Sequence, residues 1–110
     1  MTTKINIFII EKAIKKASQS PCKIRVSALG FNKDGACVAT STNKPRFKHR
    51  GGGYHAEEIL MSRAAKMGIV RILICRIGKG GDLLPIDPCS RCQELAIKTG
   101  VKIETIPTRN

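Results

Sequence analysis

Apolar positions along the chain change period several times, and each change marks an element. From residue 3 to 18 they recur at helical spacing, with Ile7, Ile10, Ile14 and Ala17 beside Phe8, Ile9 and Ala13, while Lys12, Lys15 and Lys16 take the other side. Thr2 or Thr3 is a candidate N-cap, and Ser18-Gln19-Ser20-Pro21 ends this helix. Residues 22–31 alternate, Cys22, Ile24, Val26 and Ala28 against Lys23, Arg25 and Ser27, which is the period of a half-buried strand. Asn32-Lys33-Asp34-Gly35 carries the Asp-Gly pair favoured in hairpins, so 36–41 is expected to return antiparallel. Residues 42–54 contain Pro45 and three consecutive glycines and predict a mobile, irregular loop. Ile59, Leu60, Ala64 and Met67 predict a second helix over 55–67, stopped by Gly68. Residues 70–77 read as a continuous apolar strand, the pattern of one buried on both faces. A Gly-rich loop at 78–82 follows, then a third helix over 89–99 ended by Gly100, and 101–106 alternates as a last strand.

The predicted order is α-β-β-α-β-α-β, an antiparallel hairpin followed by strands separated by helices, which implies an α/β domain with a mixed sheet. A strand-helix-strand unit crosses over right-handed, so 69–77 and 101–106 should be parallel neighbours. At 110 residues the chain suffices for one compact domain, 1–110, and not for two. Hydrophobic residues make up 42%, enough for a real core, and with aromatics at only 4% that core is aliphatic. No apolar stretch approaches the roughly 20 residues that span a bilayer. Residues 5–10 are too short for a secretory h-region and run into Glu11-Lys12, so a soluble, cytoplasmic protein is expected.

Five cysteines, an odd number, argue against a disulfide framework. Cys22, Cys37 and Cys75 read as reduced core or near-core residues; Cys75, inside the apolar run, is either a small buried hydrophobe or a further metal ligand. Twenty Lys and Arg against eight Asp and Glu give a net charge of +12, which points to polyanionic or phosphorylated ligands, or to a surface that only confers solubility.

Two short motifs carry the candidate chemistry. His55-Ala56-Glu57 opens the second helix, and Pro88-Cys89-Ser90-Arg91-Cys92 opens the third. One imidazole and two thiols are a ligand set that zinc takes, and three protein ligands leave a tetrahedral ion one open position. Cys89 and Cys92, three apart on a first helical turn, share a face. Two helix N-termini facing one metal would favour thiolates over thiols. Glu57 need not be a ligand; it is placed to exchange protons with water at the open position. Glu58 beside it reads as a carboxylate favoured by the helix dipole alone.

His55-x-Glu57 with Pro88-Cys89-x-x-Cys92 resembles the zinc-dependent cytidine/deoxycytidylate deaminase superfamily, whose signature and chemistry are a known pattern. The order of elements from residue 4 to 106 resembles that family's core, a three-layer fold with a mixed sheet flanked by helices. Members usually continue with another helix and strand, so the chain is expected to be short at its C-terminus. The resemblance implies that His55, Cys89 and Cys92 hold Zn2+ and that the fourth position carries water. Its pKa would be brought to about 7, making hydroxide available to attack the amino-bearing ring carbon. Glu57 would move the protons, and Ala56 would contribute a backbone group near the leaving amine. Asn43 stands where some members have an Asn that hydrogen-bonds base or sugar; a turn residue before Lys44-Pro45 is the alternative.

Lys44, Arg46, Lys48 and Arg50 alternate with Phe47 and His49 between them, placing cations for phosphates and a ring for stacking, or simply a solvated loop. The reading that best fits is a hydrolytic deaminase of nucleotide metabolism acting on a cytosine-type nucleoside or nucleotide. A deaminase of bases within RNA or single-stranded DNA, bound through 44–50, is a second reading. A non-catalytic zinc-stabilised nucleic-acid-binding domain is a third, although it leaves Glu57 without a role. The small core and apolar helix faces suggest a homo-oligomer.

Overall fold

A computed structural model describes residues 7–21, 24–45, 53–54, 56–86 and 90–106. The elements are α1 (Ile7–Ala17), β1 (Arg25–Asn32), β2 (Cys37–Thr42), β3 (Lys44–Pro45), β4 (Gly53–Tyr54), α2 (Ala56–Met61), α3 (Ala64–Met67), β5 (Ile69–Ile77), β6 (Leu83–Leu84), α4 (Ser90–Thr99) and β7 (Lys102–Thr105). The sheet runs β2-β1-β5-β6, and β7 also pairs with β5. The hairpin β1/β2 is antiparallel, as Asp34-Gly35 predicts, with Gly35 at φ 87° and Asn32 Oδ1 accepting from the Asp34 and Ala36 N–H groups. β5 is antiparallel to β1 and parallel to β7, the crossover expected for 69–77 and 101–106. The sheet is therefore mixed.

Alternation along β5 assigns the two faces. Ile72 and Ile74 pack with Val26, Ala28, Ala56, Leu60, Cys92 and Ala96, under α2 and α4. Leu73, Cys75 and Ile77 pack with Leu29, Phe31, Ala13 and Ala17, under α1. Helices on both faces make three layers. The parallel β5/β7 pair is tied by Arg71, whose Nη2 donates to Glu104 Oε2 at 2.5 Å and whose Nε lies 2.5 Å from Oε1 as an ion pair without hydrogen-bond alignment.

Several local expectations are corrected. β1 is buried through its middle and is not half-exposed: Ser27 is inaccessible because its hydroxyl donates to the Ala13 carbonyl at 2.8 Å. Ile24, expected on the apolar side, is exposed just before the strand begins, and Ile7 and Phe8 in the first turn of α1 are exposed as well. The helix expected over 55–67 is two helices. At the break Arg63 N–H reaches Leu60, three residues back, and Ser62 Oγ donates to the Ile59 carbonyl, competing with the helical ladder. Gly68 at φ 70° ends α3 as anticipated. Inside 42–54, Lys44–Pro45 and Gly53–Tyr54 pair as a two-stranded ribbon, too short to leave a period in the sequence. The same holds for β6, which follows the tight turn closed by Gly78 N–H on the Asp82 carbonyl. Among the described residues no helix is long and apolar enough to cross a membrane.

Candidate active site

The N-terminal ends of α2 and α4 come together on one face of the sheet. Ala56, the first residue of α2, and Cys92, in the first turn of α4, are both inaccessible to solvent and belong to one core cluster. Placement of α2 starts from β2: Ser41 is buried, and its hydroxyl donates to the Ala56 carbonyl at 2.6 Å. Ser41 faces α2 because it pairs with Ala28, whose side chain lies on that same face. A second tie links the two helices directly, since Arg91 Nε on α4 lies 3.8 Å from Glu58 Oε2 on α2. Glu58 is thus an ion-pair partner of Arg91, one of the two residues between the motif cysteines, a role the sequence reading did not give it. Arg91 is largely exposed, so the pair orients more than it stabilises.

Two of the three expected metal ligands, His55 and Cys89, lie outside the described residues, as does the side chain of Glu57. In the sequence His55 immediately precedes the buried Ala56, and Cys89 immediately precedes Ser90, the first residue of α4. Among the described residues no three His, Cys, Asp or Glu side chains gather around a point. The fit to zinc rests on the donor set: Cys92, three residues after Cys89 in the sequence, is buried at a helix start beside the helix that follows His55.

Cys75 is not part of this arrangement. It lies on the α1 face of the sheet, 1% exposed, where burial pushes its thiol up to about 11, partly offset by the neighbouring Ser27 hydroxyl. A thiol held neutral on the far face behaves as a small hydrophobe, the first of the two readings its sequence context allowed. Cys37 and Cys75 form no disulfide. His49, with the rest of residues 46–50, lies outside the described residues, so Arg46 is not located; Lys44 is in β3.

Asn43 sits between β2 and β3, at the rim of this face. Its Oδ1 accepts from Val26 N–H at 3.0 Å and from Ser20 Oγ at 2.7 Å, and its Nδ2 donates to the Ile24 carbonyl at 2.7 Å. The amide therefore fastens the end of β2 to the start of β1. A substrate donor reaching Oδ1 has to share that acceptor with Val26 and Ser20.

Arg76 is the site-face residue that the sequence reading overlooked. It continues the Ile72, Ile74 alternation and pairs with Val26 on one side and Leu84 on the other. Its Nε is buried and has no hydrogen-bond partner. The signal was present: a cation inside a run read as buried on both faces.

The family model described as the cytidine and deoxycytidylate deaminase zinc-binding region matches residues 4–106. Among curated proteins none matches this chain. Among solved structures the fold is similar to the cytidine deaminase of Mycobacterium leprae, with TM-score 0.64 and 24% identity over 93% of this chain and 89% of that one. The cytidine deaminase of Burkholderia pseudomallei gives TM-score 0.68 and 17% identity over 94% and 87%. The dCMP deaminase of cyanophage S-TIM5, in complex with dCMP and dUMP, gives 0.56 and 17% over 93% and 83%. At these identities the likeness is one of fold.

Proposed function

The chain belongs to the cytidine and deoxycytidylate deaminase family, whose cofactor is zinc, and from that premise we propose that it hydrolytically deaminates a cytosine-type nucleoside or nucleotide. The observation that carries this reading is the meeting of the helix that follows His55 with the helix that carries Cys92, held by Ser41 on the Ala56 carbonyl.

In this reading His55, Cys89 and Cys92 hold the metal. Zinc there supplies a water of pKa about 7, and so hydroxide at neutral pH. Glu57, on the first turn of α2, would carry two protons in turn, the first from water to the ring nitrogen and the second, from the hydroxyl formed on the ring carbon, to the amine that leaves as ammonia. Ala56 presents a backbone group near that amine, and Ser41 keeps the turn that bears it from shifting. Asn43, next to β3, contacts base or sugar through its side-chain amide. Lys44 and Arg46 are the candidate cations for a substrate phosphate. Two thiolate ligands require a reducing compartment, which fits the cytoplasm. The exposed Ile7, Phe8 and Ile97 give apolar surface that association with further copies would cover. Sedimentation is expected to show an oligomer.

The deciding experiment is ammonia release over cytosine, adenine and guanine compounds, each free and within an oligonucleotide. Turnover of a free cytosine compound is expected. Turnover confined to oligonucleotides, or to a purine, would replace this reading with one of the other deaminases.

A further inference from the structure

Two arginines interrupt the apolar run of β5, and their surroundings differ. Arg71 is answered by Glu104 on β7. Arg76, half-buried, is answered by no hydrogen bond or ion pair among the described residues, and its Nε is shut off from water. A guanidinium carries five donors and a charge that does not titrate away, so leaving a donor buried without an acceptor costs free energy that a folded chain normally avoids. A ligand that completes the fork is one explanation of such a group in a native fold.

Register fixes where that ligand would lie. On the α2/α4 face Ser41, Ala28 and Ile74 stand in one row across β2, β1 and β5, and Ser41 holds the first residue of α2. The next row on the same face is Asn43, Val26, Arg76 and Leu84, with Asn43 N–H bonded to the Val26 carbonyl. Arg76 is therefore one pleat repeat, about 7 Å, beyond the row beneath Ala56. It sits at the carboxyl end of β5, from which the chain runs through β6 back to Cys89. Its flanks, Val26 and Leu84, are apolar and offer nothing to its charge.

We propose that Arg76 is a specificity-determining residue whose guanidinium receives the phosphate of a pyrimidine nucleotide, making the phosphorylated nucleotide rather than the nucleoside the preferred substrate. This rests on the reading of the chain as a cytosine deaminase and decides between the two substrates that reading leaves open. A neutral carbonyl of the base would satisfy a donor but leave the half-buried charge uncompensated, whereas phosphate does both, and the planar fork matches its oxygens. A net charge of +12 draws an anionic substrate inward in the same sense.

The test uses the reaction products deoxyuridylate and deoxyuridine as probes, because neither is turned over. Calorimetry on the zinc-loaded protein is expected to show deoxyuridylate bound about 10- to 100-fold more tightly than deoxyuridine, the scale of charge-assisted hydrogen bonds. Arg76→Met should bring that ratio close to one, and Arg76→Lys, which keeps the charge and loses the fork, should leave it in between. Thermal unfolding of unliganded Arg76→Met should match or exceed the wild type, since an unanswered guanidinium has been removed; should this variant not fold, Arg76→Lys carries the test alone. An unchanged ratio in the variants overturns the proposal. So does an equal loss for both probes, which would assign Arg76 to the base. Ammonia release from deoxycytidylate tests the underlying reaction separately, so a failure there and a failure of the ratio are told apart.

Discussion

Cys75 and Cys92 are equally buried, yet they stand on opposite faces of one sheet and in opposite chemical settings. On the α1 face Cys75 packs among Ala13, Leu29, Phe31 and Leu73, and its thiol is pushed up to about 11. On the other face Cys92 lies in the first turn of α4, where backbone donors favour a thiolate, beside α2 and the Ser41–Ala56 bond. The α1 face closes its polar groups on itself, as Ser27 does on the Ala13 carbonyl. The other face spends a buried hydroxyl on the start of a helix and keeps a guanidinium for which the described residues provide no acceptor. Burial alone does not distinguish the two cysteines; their places in the fold, mid-strand for Cys75 and a helix start for Cys92, do.

The strongest way to break this contrast is to remove each thiol in turn. Cys92→Ala is expected to lose zinc and, with it, activity and much stability, because the free energy of metal binding is part of folding. Cys75→Ala should keep one zinc per chain. Metal analysis of the two purified variants checks this, and equal zinc content in both would erase the distinction between the faces.

Next in size is the proton carrier. Glu57→Gln should retain zinc and lose about 10²–10⁴ in rate, whereas Glu58→Gln weakens an ion pair with an exposed arginine and should leave the rate within a few-fold of the wild type, about 1 kcal/mol or less. Single-turnover rates and zinc content together decide it. Equal losses in the two variants would shift the catalytic carboxylate by one residue along α2.

Leu29 and Leu60 sharpen the comparison in the apolar core. Both are inaccessible, one on each face, and truncation of either to Ala should cost about 2–5 kcal/mol. Chelator competition should release zinc faster only from Leu60→Ala, which loosens α2. Equal release from both would mean that the metal site senses global stability and not its own face.

The smallest expected effect is a pH slope. Cys75 has its pKa raised from 9.0 to about 11, so its protonated form is favoured by folding. That contribution is complete below pH 9 and declines as the unfolded thiol ionises and pH rises toward 11, with a slope of up to about 1.4 kcal/mol per pH unit. Denaturant unfolding of wild type and Cys75→Ala across this window isolates the term as the difference between their slopes.

Much of this was legible in the sequence, for identifiable reasons. The hairpin followed from Asp34-Gly35, the parallel β5/β7 pair from the strand-helix-strand order, and the helix ends from Gly68 and Gly100. These are local signals that tertiary contacts reinforce. The pairing of Lys44–Pro45 with Gly53–Tyr54 was not legible, because two-residue strands have no period and their register depends on the loop between them. Ser27 and Ser41 show another limit: a hydroxyl reads as polar and exposed until the carbonyl it reaches, fourteen or fifteen residues away in sequence, is known. The motif marked Glu57 and Cys92 by spacing, but the row that places Arg76 beyond Ala56 is a product of sheet register.

The central claim, a zinc with an open position set against a sealed far face, is met most directly by X-ray absorption at the zinc edge. The account predicts one nitrogen at about 2.0–2.1 Å, two sulfurs at about 2.3 Å and one light oxygen-type ligand, unchanged in Cys75→Ala. A spectrum with three or four sulfurs, or one that changes when Cys75 is removed, would contradict it.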